Sequence, residues 1–246
     1  MPKTPLPPPP TVSAILVAAG QGVRFGQDKI LLQLGRKSVL QRSLDKFLPL
    51  LTTQVISEII IVVSPKNKAQ ISAHLEQIGY LDQVKLVLGG QERWQSSLKG
   101  IQASTGQIVA IHDTARPFIT TALIQETIKI THAATPQAAL VAVPCTNSVK
   151  IVNNDGQNVD SLPRSQVWLA QTPQVFSRKL ILSAYQKALT KKYQQMTDES
   201  ELITKFLHQP VTIVPGSEDN LKITFTTDLP LAQRIATLED QQERLR

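Results

Sequence analysis

The chain has 246 residues, 41% hydrophobic and only 4% aromatic, with a formal charge of +7 and a single cysteine. That length suits one large α/β domain or two small ones with an aliphatic core. One cysteine excludes an internal disulfide framework, and no apolar run approaches a membrane span.

The opening "MPKTPLPPPP" reads as a proline-rich tail over residues 1–11, with polyproline-like character. It lacks the apolar centre of a signal peptide and the arginine-rich helix of an import sequence, so a cytoplasmic chain is expected. The bases are scattered and not interleaved with aromatics, which favours an acidic small molecule over a nucleic acid or a membrane. The four histidines, His74, His112, His132 and His208, share no metal-ligand spacing with Cys145.

From residue 12 onward a single domain is expected. Strands are predicted at "SAILVAA" (13–19), "EIIIVV" (58–63), "KLVL" (85–88), "QIVAIHD" (107–113) and "AALVAVP" (138–144). Near-continuous apolar runs mark strands buried on both faces. Helical spacing appears over 38–51, 66–78 and 121–133, and in "ERWQSSLKGIQA", where Trp94, Leu98 and Ile101 form one stripe. The alternation predicts an α/β fold, a mostly parallel sheet with helices on both faces. After Pro144 the rhythm changes, and "NNDG" signals a hairpin. A β-arm inserted at about 145–172 is expected. Helices follow near 177–189 and 199–208, then strands at "VTIV" and "NLKITF", then a charged terminal helix.

Three stretches carry chemistry. In "ILVAAGQGVRFGQDK", a strand runs into Ala18, Ala19, Gly20 and Gly22, where no large side chain blocks a ligand. Backbone N–H groups of such a loop can cradle phosphate oxygens at the carboxyl end of a strand. The dinucleotide fingerprint fails, because Phe25 stands at the third glycine position. Arg24 and Lys29 follow, and two cations beside a phosphate loop suit a phosphoryl group whose charge shifts during displacement. A tight turn with surface bases is the plainer alternative.

In "GGQERWQSS", Gly89 and Gly90 allow close backbone approach, and Arg93 and Ser96 share a helix face. A helix start with polar surface groups would look the same. In "AIHDTARPF", Asp113 ends an apolar strand at the ligand-binding edge, where one carboxylate plus substrate phosphates can hold Mg²⁺. Arg116 follows three residues later; the alternatives are an Asp–Arg surface pair or a helix cap. Arg164, Thr172 and Lys222 are individually ordinary surface residues. Thr197-Asp198-Glu199 reads as a helix start, with Asp198 and Glu201 as a capping box. Cys145 reads as a packed thiol.

Together "AAGQGVRFG…DK", "GGQERWQSS", "HDTARP", "LPRSQVWLAQTPQVF", "TDES" and "EDNLKIT" resemble the 2-C-methyl-D-erythritol 4-phosphate cytidylyltransferases. The resemblance runs from about residue 12 to residue 242, with all six motifs in order. It implies a Rossmann-like, nucleoside-diphospho-sugar transferase-like fold. It further implies that Arg24 and Lys29 stabilise the transition state at the α-phosphate of CTP. Ala18, Ala19, Gly20, Gly89, Arg93, Ser96 and Thr114 would line the CTP site, and Asp113 would place Mg²⁺ and substrate. Arg164, Thr172 and Lys222 would position the polyol phosphate, Arg164 and Lys222 as part of the catalytic set. The arm would cross to a second subunit, so that Arg116, Ser148 and Arg164 serve a site shared in a homodimer. Three positions depart from the family pattern: Asp28 before the lysine in place of proline with a shorter loop, Thr114 in place of alanine, and Ser148 in place of threonine.

The expected reaction is in-line attack of the acceptor phosphate on the α-phosphorus of CTP, with pyrophosphate leaving. Positioning and charge stabilisation suffice for such chemistry, without His or Cys. Ribitol 5-phosphate is the alternative acceptor, and a non-catalytic nucleotide-binding regulator is the alternative from another class. A nicotinamide-dependent oxidoreductase is disfavoured by Phe25 and the two loop cations.

Overall fold

The structure, a computed structural model, describes residues 10–20 and 29–245. The first half runs β1 (Val12–Val17), β2 (Gln33–Leu34), β3 (Lys37–Ser38), α1 (Val39–Thr52), β4 (Glu58–Val63) and α2 (Lys68–Gln77). It continues through β5 (Lys85–Leu88), α3 (Arg93–Ala103), β6 (Ile108–Asp113), α4 (Thr121–Ala133) and β7 (Ala138–Pro144). The second half is β8 (Val149–Val152), β9 (Asn158–Leu162), β10 (Trp168–Ser177), α5 (Arg178–Thr190), α6 (Glu199–Leu202), β11 (Thr212–Pro215) and α7 (Leu229–Arg244).

Seven strands form one sheet in the order β11-β7-β10-β6-β1-β4-β5. The β1–β4, β1–β6, β4–β5 and β7–β11 pairs are parallel, and β10 runs antiparallel between β6 and β7. Alternate residues feed two cores, which is why the strands read as unbroken apolar runs. Ala14, Leu16, Ile59, Ile61, Ile108 and Ala110 pack with α1, α2 and α4 residues such as Leu44, Phe47, Ile71 and Ile124. Ile15, Ile60, Val62, Val109 and Ile111 pack on the other face with Ile101 of α3 and Ile181 and Tyr185 of α5. A smaller cluster joins α7, through Ala232 and Ala236, to Leu34, Val39, Phe118 and Ile223.

Polar side chains fix helix starts. Ser38 accepts from Gln41 N–H at α1, Thr120 from Leu123 N–H at α4, and Asp198 from Glu201 N–H at α6. Each satisfies one of the orphan donors of a first helical turn.

The sequence reading needs correction at four places. "NLKITF" is not a strand: Ile223 N–H reaches Ala115 O, and the N–H groups of Thr224 and Phe225 both go to Asp228 Oδ2. With its backbone donors spent this way, the segment joins no ladder. The arm ends earlier than residue 172, because Trp168–Ala170 already pair with Pro144–Ala142 in the main sheet. The 199–208 helix is a single α turn that passes into a π turn, Ile203–Leu207. The capping box is half made: Glu201 turns back to Thr197 N–H and Oγ1 rather than to the N-cap backbone. The hairpin expected at "NNDG" forms, with β8 and β9 antiparallel and Gly156 N–H bonded to Asn153 O.

Candidate active site

The candidate site lies where the sheet changes winding direction. From β1 the chain moves to β4 and β5 on one side, then returns to β6 on the other. Ligands of open α/β sheets bind beyond the carboxyl ends of strands at such a switch point. Val17 and Asp113 are register partners at the ends of β1 and β6. A cavity there is lined by Ala19, Gly20, Lys29, Arg93, Asp113 and Lys222, with Ser96, Gln91 and Glu92 at its α3 edge.

Each wall has a local cause. Ala18 N–H bonds Val62 O, and Asn67 Nδ2 donates to Ala18 O, so the chain leaving β1 is held open beside β4. Among the described residues, a Cβ on Gly20 would meet nothing within 4 Å. Gly89 is different: a Cβ there would lie 2.6 Å from Ser96 Oγ and 2.8 Å from Ala19 Cβ. Only glycine lets that backbone pass between the β1 loop and α3. Ser96 is buried, and its Oγ accepts from Gly90 N–H and donates to Glu92 O, so it braces the Gly89–Gly90 turn. Lys29 opens a short 3₁₀ turn, Lys29–Leu31, that faces the cavity.

At the centre, carboxylates and cations alternate. Asp113 Oδ1 accepts from Arg93 Nε at 2.9 Å, and Asp113 Oδ2 pairs with Lys222 Nζ at 2.6 Å. Arg93 Nη1 reaches both oxygens of Glu199, at 3.0 and 3.1 Å. Burial opposes ionisation of Asp113, but Arg93, Lys222 and Arg116 outweigh it and hold its pKa well below the usual carboxylate range. Burial likewise opposes the Arg93 charge, and Asp113 and Glu199 more than restore it. Both groups therefore stay charged near neutral pH. Among the described residues, the cavity lining carries three cations, Lys29, Arg93 and Lys222, against two carboxylates, Asp113 and Glu92. That excess suits a polyanionic ligand.

A polar seam behind the cavity locks this geometry. His112 is fully buried, and burial pushes its pKa down to about 4, so the ring is neutral. Arg116 O can only accept, so Nε2 carries the proton there (3.1 Å). Nδ1 must then accept from Thr172 Oγ1 (3.0 Å), which in turn accepts from Asp113 N–H (3.1 Å). Asn220 Nδ2 donates to Gln171 Oε1 and Thr172 O, and Arg116 Nη1 donates to Asn220 O. This seam carries Lys222, two residues past Asn220, to Asp113 without a strand.

The predicted site residues therefore divide. Ala19, Gly20, Lys29, Arg93, Ser96, Asp113 and Lys222 meet in one cavity, and Ala18 and Gly89 support its walls. Arg24, with Gly22, Phe25 and Asp28, lies outside the described residues. Thr114 is buried, with its carbonyl bonded by Ser43 Oγ. Thr172 is buried, and its hydroxyl is spent on His112 and Asp113 rather than on the cavity. Arg116 spans Asn220 O and Ala170 O behind the cavity. Ser148 and Arg164 are exposed on the arm and do not line the cavity; Arg164 Nη1 touches Thr146 O. Cys145 is half-buried, with Sγ near Asn147 O. Sequence reasoning missed the site roles of Glu199, His112, Gln171 and Asn220. Glu199 stood inside "TDES", but its spacing signalled only a helix start.

Among the described residues, no cluster of three or more His, Cys, Asp or Glu could hold a metal ion alone. No described helix is long and apolar enough to cross a membrane. A family model described as 2-C-methyl-D-erythritol 4-phosphate cytidylyltransferase matches residues 12–238. A curated protein of that name from Clostridioides difficile is 34% identical, covering 94% of this chain and 96% of the relative. One from Caldanaerobacter subterraneus subsp. tengcongensis is 37% identical, covering 90% and 97%. Among solved structures, a 4-diphosphocytidyl-2C-methyl-D-erythritol synthase from Anaerococcus prevotii superposes with a TM-score of 0.80 at 30% identity, covering 93% of this chain and 99% of that one. A 2-C-methyl-D-erythritol 4-phosphate cytidylyltransferase from Thermus thermophilus gives 0.75 at 26% identity, covering 92% and 99%.

Proposed function

The chain belongs to the 2-C-methyl-D-erythritol 4-phosphate cytidylyltransferase family, and from that premise we propose that it joins CTP to 2-C-methyl-D-erythritol 4-phosphate, releasing pyrophosphate. The product, 4-CDP-2-C-methyl-D-erythritol, belongs to isoprenoid precursor synthesis, and a CTP-consuming enzyme of this kind works in the cytoplasm. The observation that carries the reading is the Arg93–Asp113–Lys222 array beside Lys29 and the small-residue loop of β1.

The acceptor phosphate is ionised near neutral pH, so its oxygen attacks the α-phosphorus without a general base. Pyrophosphate leaves on the opposite side. Lys29, with Arg24, stabilises the charge that builds on the α-phosphoryl oxygens, and Lys222 draws the acceptor phosphate into line. These groups act by holding charge in place before the reaction, the largest single effect available to such a site. The Ala18–Gly20 backbone and Gly89 admit the nucleotide. Asp113, whose oxygens pair with Arg93 and Lys222, would be the one carboxylate of a Mg²⁺ site completed by CTP phosphates. Bound there, Mg²⁺ would supply neutralisation of phosphate charge.

A homodimer through the arm completes the proposal. Val152, Val159, Leu162, Trp168 and Leu169 are exposed on β8, β9 and the start of β10. A lone two-stranded ribbon is marginally stable in water, and a cluster of exposed apolar groups marks a contact surface. A second copy seated there would bring Arg164 and Ser148 to a site they do not reach within one chain.

The test is pyrophosphate release by the purified protein, supplied with CTP and each polyol phosphate, with and without Mg²⁺. Turnover with the methylerythritol phosphate supports the reading. Preference for ribitol 5-phosphate overturns the acceptor, and CTP binding without release makes the chain a regulator. Sedimentation as a monomer at assay concentration would contradict the dimer.

A further inference from the structure

Glu199 is an acid with no exposure: its side chain is 1% accessible, and the residue is 0% exposed. Its partners come from two other elements. Arg93, the first residue of α3, gives Nη1 to both carboxylate oxygens. Tyr185 of α5 sits with its hydroxyl 3.2 Å from Oε1 and 3.3 Å from Trp94 O. Both of those are acceptors, so the single phenolic proton is shared between them. Burial, with Glu199 next, keeps the Tyr185 pKa well above its ordinary value, so it remains a neutral donor.

Arg93 is thus held between two carboxylates that differ in what they are free to do. Asp113 lines the cavity and shares its oxygens between Arg93 and Lys222. A ligand that engages Asp113 competes with those two cations for its oxygens. Glu199 does not line the cavity and is shut away from solvent. Its grip on Nη1 persists when the Nε–Asp113 contact opens. A buried carboxylate without its cation would be costly, so Arg93 cannot follow the ligand away. Among the described residues, nothing engages Arg93 Nη2, and about a quarter of the side chain remains accessible.

We propose that Glu199 is a positioning residue for nucleotide binding: it anchors Arg93 at Nη1, so that the free edge of the guanidinium meets the triphosphate while Asp113 is released to the ligand. This rests on the CTP reading above and names a residue of that site beyond those the motifs assign. Tyr185 supports the anchor by fixing Oε1.

The decisive variant is Glu199→Gln, which keeps shape and an acceptor but removes the charge. CTP binding is measured by equilibrium dialysis without acceptor, beside steady-state kinetics. The expected result is CTP affinity weaker by about tenfold, the scale of one lost charge-assisted contact. KM for CTP should rise in parallel, while kcat and the acceptor KM stay within about twofold. A merely structural loss would lower the active fraction and kcat and leave KM unmoved. Glu199→Asp keeps the charge but withdraws it by one methylene, and should fall between, at about threefold. If Glu199→Gln does not fold, Glu199→Asp carries the test, and an unchanged KM for CTP there overturns the proposal. Wild-type protein that fails to bind CTP would instead overturn the function reading, so the two failures are distinct.

Discussion

Substituting Gly100 by alanine tests how tightly the sheet sets the site. Gly100 lies in α3, buried against the sheet. A Cβ there would fall 2.5 Å from Ile15 Cγ2 and 2.9 Å from Val62 Cγ2. Carbon contacts settle near 3.5–4.0 Å, so α3 must lift from the sheet by about 1 Å. Two effects oppose each other. Alanine gains about 1 kcal/mol over glycine as a helix former. Overpacking a close-packed core costs about 1–3 kcal/mol, and both contacting methyls belong to residues that are fully buried. The clash should win at the middle of that range, leaving Gly100→Ala about 1 kcal/mol less stable and at most about 2 kcal/mol. The consequence reaches the site, because Arg93 stands on the same helix, about 10 Å away along its axis. Lifting that end by about 1 Å would open the 2.9 Å contact between Arg93 Nε and Asp113 Oδ1. Urea denaturation and KM for CTP measure the two effects, with the exposed Gln102→Ala as a surface control on the same helix. A Gly100→Ala protein as stable as wild type, with an unchanged KM, would refute the reasoning.

Three further perturbations probe other parts of the molecule. Lys222→Ala leaves the buried Asp113 with Arg93 as its one ion-pair partner among the described residues, so it should cost about 1–3 kcal/mol of stability yet lower turnover by about 100-fold or more; pyrophosphate release and the urea midpoint read the two effects, and normal turnover excludes the assigned role. Asp240→Ala strips the buried Arg42 (1% accessible) of a 2.7 Å ion pair and Arg36 N–H of its acceptor. With Glu239 still 3.3 Å from Arg42, the cost should be about 3 kcal/mol, against under about 0.5 kcal/mol for Glu243→Ala at the more exposed Lys37 pair; equal costs would contradict the buried anchor of α7. Because burial lowers the His112 pKa from 6.5 to about 4, the unfolded chain binds the extra proton between those values, and stability falls as pH drops through that window. The largest loss from this group is about 3 kcal/mol, Asp113 favouring and Arg116 disfavouring the proton in the fold. His112→Asn should flatten the dependence of Tm on pH between about 6.5 and 4, and an unchanged slope would exclude the buried neutral ring.

Much of the site was legible because its parts obey local rules. Asp113 ends a strand whose every residue is buried, so the end of the apolar run marks the ligand edge. Ala18, Ala19 and Gly20 follow the strand that pairs with it, and Gly89 follows the next parallel neighbour but one. Glu199 was not legible, because 106 residues separate it from Arg93 and a buried ion pair leaves no spacing signal. His112 looked like part of the strand core, and its hydrogen bonds depend on β10 lying antiparallel beside β6.

The sequence by itself determined a two-faced sheet, the chain order of β1, β4, β5, β6 and β7, and the small residues that end β1. Backbone geometry and side-chain size set these within a few residues, so periodicity reveals them. Only the tertiary structure decided where "NLKITF" goes. Its pattern suits a strand, but Ala115 O and Asp228 Oδ2 take its backbone donors. The Asn220 seam then delivers Lys222 to Asp113. Competition for hydrogen-bond partners between segments far apart in the chain settled that placement, and such competition exists only once the chain has folded.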